Sequence, residues 1–221
     1  MKHIVVDLEM NQVAQGSKAR RICTQETIEI GAVMLDDNMQ EISSFRTYVR
    51  PEYNDEILPK ISRLTGITTE MVAGAPRFQE ALKMFTNWCL GNGDEVILYA
   101  WSDADYLQIK KEMKLKQYEV SAVEEALVCR EWEDFQKKFD LHLGFERQLS
   151  LKMALDMAGI DFTGREHDAL DDARNTAELL HVFCDEELFD RTLKKIEEVM
   201  KPKQSGFCLG ELFDLSQLVV A

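Results

Sequence analysis

The sequence predicts an α/β fold in which a mixed β-sheet is flanked by helices. Three β-rich segments follow one another near the start of the chain, one nearly continuous apolar segment comes later, and helical segments lie between and after them. Strands joined by short links pair antiparallel, whereas strands separated by helices tend to pair in parallel. The predicted sheet therefore has three antiparallel strands followed by parallel strands.

The strand predictions rest on apolar alternation and β-branched residues. The early segments are HIVVDLEM (3–10), ETIEIGAVMLD (26–36) and ISSFRTYVRP (42–51), the last of which ends at a proline. The later segment, DEVILYAW (94–101), lacks an alternating polar face. Such a run is typical of a central strand that is covered on both faces.

The helix predictions rest on amphipathic spacing and on residues that begin or end helices. A turn is predicted in ISRLTGIT (61–68). The predicted helices are PRFQEALKMFTNWCLG (76–91), ADYLQIKKEMK (104–114), SLKMALDMAGI (150–160) and HDALDDARNTAELLHVFCDEEL (167–188).

Composition limits the class of protein. The chain has 221 residues and a net charge of -14, which disfavours extended tracking of the phosphates of duplex DNA. It lacks a long apolar stretch, and its five cysteines are scattered, so we expect a cytoplasmic protein without a membrane partner. We expect one domain over 1–200 and a C-terminal tail, 201–221, for which docking on the domain is favoured over binding a partner.

The first strand ends with two carboxylates, Asp7 and Glu9, two residues apart. Side chains at i and i+2 of a strand project from the same face, so these two acids repel each other. A strand that ends in a polar loop would explain the pair. A bound divalent cation would explain it as well, because hard cations take oxygen ligands.

A second acid follows the central strand, where ligand sites of α/β sheets tend to form. Asp103 and Asp105 compete for this role in the segment YAWSDADYLQ. Asp105 shares a helix face with Ile109 and Met113, so it is expected to face the protein. The spacing of Ser102 and Asp105 equally fits a variant capping box, which alone would explain the acid.

A third acid lies on the helix predicted near the C-terminal end. One face of this helix is wholly polar and is expected to face water: Asp168, Asp171, Asn175 and Glu178. A second face is expected to point inward and carries one acid: Ala169, Asp172, Thr176, Leu179 and Phe183. Asp172 is therefore the predicted buried carboxylate, and a cation would offset the cost of its burial. His167, about a turn away, is open to a structural or a catalytic interpretation, and the helix dipole favours its neutral form.

Taken together, DLE, the acid of WSDAD and HDALDDA resemble the three motifs of the DEDD superfamily of exonucleases, histidine subgroup. The third motif is matched at His167, Ala169, Asp172 and Ala173, and IEIGAV (28–33) and LTGIT (64–68) match the family as well. The resemblance covers roughly residues 4–184 and is similar to the branch of KapD-like proteins and 3′-exoribonucleases of histone messages and small RNAs. Ser102 departs from the glycine usual in that branch.

The resemblance implies a ribonuclease H-like fold and a metal-dependent 3′–5′ exonuclease that releases nucleoside 5′-monophosphates. It implies that Asp7, Glu9, Asp105 and Asp172 hold two Mg²⁺ or Mn²⁺ ions, and that His167 is the general base. The expected partner is the 3′ end of a single-stranded nucleic acid, with RNA favoured over DNA.

The same resemblance implies contacts with the terminal nucleotide from the main chain near Met10 and from the Leu64–Thr65 turn. Packing in the core is the competing explanation for Leu64. Two other functions remain open: an enzyme for very short oligonucleotides, and an inactive module that binds nucleic acid. The inactive module predicts a missing ligand or histidine, whereas all five positions are filled.

Overall fold

The first 48 residues form three strands, and two later strands extend the same sheet. The computed structural model describes residues 1–91, 95–130, 132–144 and 148–200. The strands in these parts of the chain are β1 (Lys2–Gln12), β2 (Gln25–Leu35), β3 (Glu41–Tyr48), β4 (Val96–Ala100) and β5 (Glu133–Asp134). The predicted tail, 201–221, lies outside the described residues.

The strands are arranged in the order β3-β2-β1-β4-β5. β2 pairs antiparallel with both β1 and β3, whereas β4 pairs in parallel with β1 and β5 with β4. β4 therefore lies inside the sheet, as its apolar sequence indicates. This topology confirms the predicted mixed sheet of three antiparallel strands followed by parallel strands.

Helices cover both faces of the sheet. The α-helices of the described residues are α1 (Pro59–Thr65), α2 (Thr69–Val72), α3 (Phe78–Leu90), α4 (Asp103–Leu115), α5 (Ala122–Glu124), α6 (Phe135–Leu143), α7 (Leu151–Ala158), α8 (Ala169–Cys184) and α9 (Glu186–Met200). Alternate residues of β1 face opposite layers. Ile4 and Val6 pack with α3 and α4, whereas Val5 packs with α6, α7 and α8.

The helix predicted over 167–188 is two helices in the structure. α8 ends before Asp185, whose extended backbone (φ -94°, ψ 110°) interrupts the helical path. The Asp185 carboxylate then accepts a hydrogen bond from Leu188 N, which caps the start of α9. No helix in the described part of the chain combines the length and the apolar character needed to cross a membrane.

Candidate active site

Two acids project from one face of β1 near its end. Asp7 lies opposite Gly31 of β2, and Glu9 lies opposite Glu29. Glu9 is buried and Asp7 is partly buried, and a bulge in the pairing follows between Glu9 and Met10. The strand thus continues past the acids instead of ending at them, so the interpretation as a fraying strand end does not account for the pair.

Gly31 allows the start of α8 to lie directly against β2. A Cβ atom at this position would come within 2.2 Å of the main-chain carbon of Ala169, the first residue of α8. Such a distance is far below van der Waals contact, so only glycine fits here. The glycine of IEIGAV therefore brings the helix that carries Asp172 next to the strand that carries Asp7 and Glu9.

Asp105 reaches the same region from the first turn of α4. It is 6% exposed, whereas Asp103 is exposed. The Asp105 carboxylate accepts a hydrogen bond from the backbone N–H of Leu8, between the two acids of β1. The helix cap is made instead by the Ser102 hydroxyl, which accepts from Ala104 N. Of the two candidate acids, Asp105 faces β1 and Asp103 faces solvent.

Asp172 and His167 complete the group. The Asp172 carboxylate is partly buried, and its Oδ2 accepts a hydrogen bond from His167 N at 3.0 Å. One ligand atom each from Glu9, His167 and Asp172 lie within 4.8 Å of one another. His167 is exposed, with a φ of +63° that is unusual for a residue with a side chain. It lies just before the helix cap, Asp168.

The loop before His167 is held by side chains of α8. The prediction that Asn175 faces water is wrong, because this residue is only 2% exposed. Its amide accepts from Thr163 N at 2.9 Å and donates to Thr163 O at 2.8 Å. Asp171 accepts from Arg165 N at 2.9 Å. The polar stripe of α8 therefore binds the backbone of the loop that carries the candidate base.

A second network, which we did not predict, fixes the start of α8 on the sheet. Glu29 is fully buried and accepts a hydrogen bond from Ala169 N at 3.2 Å. Arg46 of β3 forms ion pairs with Glu29 at 2.7 Å and with Asp168 at 2.6 Å. The sequence does contain a signal for this network, because Glu29 is an acid within the otherwise apolar segment IEIGAV. A buried acid needs a partner, so such a residue indicates an ion pair or a hydrogen bond.

The site concentrates negative charge in a place shielded from water. Burial, followed by the charges of Asp105 and Asp172, raises the pKa of Asp7 well above its ordinary value. Burial and the Asp172 charge raise the pKa of Glu9 to about 8. Burial raises the pKa of Asp105 and of Asp172 to about 7, against the lowering effect of hydrogen bonds from Leu8 N and His167 N.

The donor set fits divalent metal ions. Four carboxylates converge here, and ionising all of them in one buried place is unfavourable without a compensating positive charge. Carboxylate oxygens are the ligands preferred by hard divalent cations. Arg46 is already shared by Glu29 and Asp168, so it does not neutralise this group.

The residues predicted to bind substrate lie in different environments. Leu64 is 44% exposed at the end of α1, so packing in the core does not explain it. Thr65 is 4% exposed, and its hydroxyl donates to Ile61 O and accepts from Ile67 N. The hydroxyl is therefore occupied within the protein, and the residue as a whole is buried. The Met10 side chain packs against the core, beside the bulge of β1.

Comparison with known proteins identifies the family. The RNase_T family of exonucleases matches residues 4–180, which include Asp7, Glu9, Asp105, His167 and Asp172. The chain belongs to this exonuclease family. The match confirms the family predicted from the three sequence motifs.

Named relatives of this RNase_T chain are exoribonucleases. ERI1 exoribonuclease 2 of Xenopus laevis is 29% identical over 204 residues, which cover 82% of this chain and 28% of the relative. The 3′–5′ exoribonuclease 1 of Homo sapiens is 30% identical over 163 residues, which cover 70% of this chain and 45% of the relative. The chain thus spans less than half the length of these two curated relatives.

A solved structure shares the fold. The nuclease domain of 3′hExo, a DEDDh family member bound to rAMP, matches with a TM-score of 0.70 and 24% identity, and the match covers 81% of this chain and 90% of that chain. This likeness confirms the predicted ribonuclease H-like fold. The family implies a divalent metal cofactor, in agreement with the donor set.

Proposed function

We propose that this protein is a metal-dependent 3′–5′ exonuclease of single-stranded nucleic acid that releases nucleoside 5′-monophosphates. The observation that carries the proposal is the meeting of four carboxylates from β1, α4 and α8 with the His167 side chain. Ligand atoms of Glu9, His167 and Asp172 lie within 4.8 Å of one another. The family match over residues 4–180 supports the same function.

We further propose that Asp7, Glu9, Asp105 and Asp172 hold two Mg²⁺ or Mn²⁺ ions. Bound divalent cations would lower the pKa of a water molecule and stabilise the charge that develops on the leaving oxygen. The carboxylates supply the four negative charges that such a pair of ions requires. Their location on β1, α4 and α8 supports the proposal, because these three elements belong to the folded core.

His167 is the proposed general base. It accepts a proton from the attacking water while the water oxygen forms a bond to phosphorus and the bond from phosphorus to the 3′ oxygen breaks. The departing 3′ oxygen takes up a proton from solvent, so the products are a nucleoside 5′-monophosphate and a strand with a new 3′ hydroxyl. The hydrogen bond from His167 N to Asp172 ties the position of the base to that of a ligand.

The terminal nucleotide is proposed to bind between the bulge of β1 and the end of α1. This placement follows the family resemblance, which implies contacts from the main chain near Met10 and from the Leu64–Thr65 turn, and the exposed Leu64 side chain packs on the base. Apolar contact with the face of a base is tolerant of sequence, because every base has such a face. The names of the relatives, which are exoribonucleases, support RNA as the preferred substrate.

The proposal is tested by digesting 5′-labelled single-stranded RNA and DNA of one sequence with Mg²⁺, with Mn²⁺ or with EDTA. We expect a ladder that shortens from the 3′ end, requires the metal and is faster on RNA. His167→Ala should abolish it, whereas His181→Ala, on α8 but outside the site, should retain it. Absence of any cleavage by folded protein would overturn the proposal and favour the inactive binding module.

A further inference from the structure

Arg165 lies two residues before His167, and its guanidinium contacts the turn that ends α1. Nη2 donates a hydrogen bond to Leu64 O at 3.2 Å. The guanidinium also occupies the space above Gly66, where a Cβ atom would come within 1.8 Å of Nη1. Gly66 has a φ of +74°, which suits glycine. The long side chain is therefore held beside Leu64.

The other end of Arg165 is held as well. Its backbone N–H donates to the Asp171 carboxylate of α8 at 2.9 Å. The hydrogen bonds between Asn175 and the Thr163 backbone hold the same loop two residues earlier. A surface arginine normally loses rotamer entropy when it binds an anion. Because contacts at both ends already restrict Arg165, less entropy is lost when its guanidinium binds.

Within the described residues, the guanidinium of Arg165 has no carboxylate partner. This distinguishes it from four other arginines, which form ion pairs: Arg46, Arg77, Arg174 and Arg191. A guanidinium carries five N–H donors, and Leu64 O accepts from one of its nitrogens. The remaining donors form a planar fork that matches a phosphate.

With two divalent ions bound, the charges around the site would leave no net positive charge to bind phosphate. Four carboxylates would cancel the charge of two divalent ions, and Glu29 and Asp168 share the single charge of Arg46. This leaves no surplus positive charge for the phosphates of a bound strand. Arg165 adds one positive charge where the exposed Leu64 meets the loop of His167.

We propose that Arg165 is a substrate-binding residue whose guanidinium binds a backbone phosphate near the 3′ end of a single strand. This inference rests on the proposed function, which brings the strand end to Leu64. The competing role is that of a tether between two loops, which would require the hydrogen bond to Leu64 O but not the positive charge.

Binding of 5′-labelled single-stranded RNA in Mg²⁺, at a series of salt concentrations, separates the two roles. The His167→Ala protein serves as the parent, so that the strand stays intact. Arg165→Gln removes the charge but keeps an amide that can donate to Leu64 O. We expect it to weaken binding several-fold and to reduce the slope of log affinity against log salt by about 0.7, the value for one phosphate of a single strand.

Two matched variants accompany this measurement. Arg165→Lys keeps the charge, and we expect the parental slope. Lys83→Gln removes an exposed positive charge on α3, outside the site, and we expect neither the slope nor the affinity to change. The proposal would be overturned in favour of the tether if Arg165→Gln left the slope unchanged. It would also be overturned if Arg165→Gln and Arg165→Lys weakened binding equally without changing the slope.

A second experiment leaves the protein unchanged. One neutral methylphosphonate linkage is placed at successive positions from the 3′ end of the strand. We expect the neutral linkage at one position near the 3′ end to weaken binding to the parent protein. The same linkage should not weaken binding to the Arg165→Gln protein any further. Equal effects on both proteins, or no binding of RNA by the parent, would overturn the contact. Cleavage by the wild-type protein is scored separately, so the contact and the proposed function can fail independently.

Discussion

At the scale of single residues, Asp171 and Asp172 are neighbours on α8 and have different partners. Asp172 lies with Glu9 and His167 and accepts from His167 N. Asp171 turns towards the preceding loop, accepts from Arg165 N and fills the space above Gly164, where a Cβ would come within 2.3 Å of its Oδ2. The pair offers a matched test of which carboxylate takes part in catalysis.

We predict that Asp172→Asn lowers the rate of RNA hydrolysis by about 100-fold or more, the scale of losing one charge contact in a transition state. Asn still accepts from His167 N, so the loop is retained while the negative charge is lost. Asp171→Asn should change the rate only a few-fold. Single-turnover rates with saturating metal measure both, and equal losses would contradict the assignment of Asp172.

The helix-face pattern indicates which of the two acids lies with Glu9 and His167, because only Asp172 is on the inward face. The pattern places Asp171 in water, whereas Asp171 is partly buried and accepts from Arg165 N, and the role of Asp172 as a ligand stays a prediction. The pattern was insufficient for Asn175, since a polar residue on a polar face predicts exposure unless a loop folds over it. The ion pair of Glu29 and Arg46 was not predicted, for a related reason. Their ion pair joins two strands and then the start of α8, and a sequence pattern does not reveal pairing between distant segments.

At the scale of elements, Gly31 determines how closely α8 approaches the sheet. The helix begins directly on the backbone of β2, and the atoms that a Cβ would meet are main-chain atoms of Ala169 and Leu170. Main-chain atoms cannot rotate away as a side chain can. Any side chain at this position must therefore displace the start of α8, which carries Asp172 and follows His167.

We predict that Gly31→Ala lowers the free energy of unfolding by about 3 kcal/mol, the upper end for overpacking. It should also reduce hydrolysis, because Asp172 moves away from Glu9. Gly74→Ala is the control, since a Cβ there would meet no atom within 4 Å. Urea denaturation compares the two variants. A loss of stability in Gly31→Ala no larger than that in Gly74→Ala would contradict the close approach.

The regular elements were predictable where the local pattern is strong. The first four strands, α3, α4 and α7 lie where alternation or helical spacing predicts them. Between α4 and α7, α6 and the two-residue β5 were not predicted. A strand as short as Glu133–Asp134 has no period of its own and depends on its pairing with Tyr99 and Ala100 of β4.

At the scale of the whole molecule, the acid cluster couples folding to pH and metal. The folded pKa is about 8 for Glu9 and about 7 for Asp105 and Asp172, compared with ordinary values of 4.5 and 3.8. Between about pH 4 and about pH 8 the folded chain therefore binds more protons at these groups than the unfolded chain does. Without metal, their contribution to stability falls as pH rises through this window.

We predict that in EDTA the Tm falls from about pH 5 to about pH 8 through these groups. Mg²⁺ or Mn²⁺ should raise the Tm more at the higher pH, because metal binding displaces protons from its ligands. Thermal scans at both pH values, with metal and with EDTA, measure the difference. Asp172→Asn should reduce it. A metal effect that shrinks as pH rises would contradict the assignment of these acids as ligands.

The net charge of -14 fits the proposed contact with a strand end better than it fits tracking of a duplex. Neither the cytoplasmic location nor the docking of the tail has been tested, and both stay predictions.

The hydrogen bond from Ala169 N to Glu29 spans 140 positions in the chain. Ribosomes add roughly 5–20 residues per second, so the strand with Asp7 and Glu9 is synthesised many seconds before α8. Until α8 has left the ribosome and packed on β2, a growing chain has neither the proposed base nor the last of the proposed ligands. On the proposed function, unfinished chains are therefore inactive towards the message from which they are made, and we expect products that terminate before α8 to be inert.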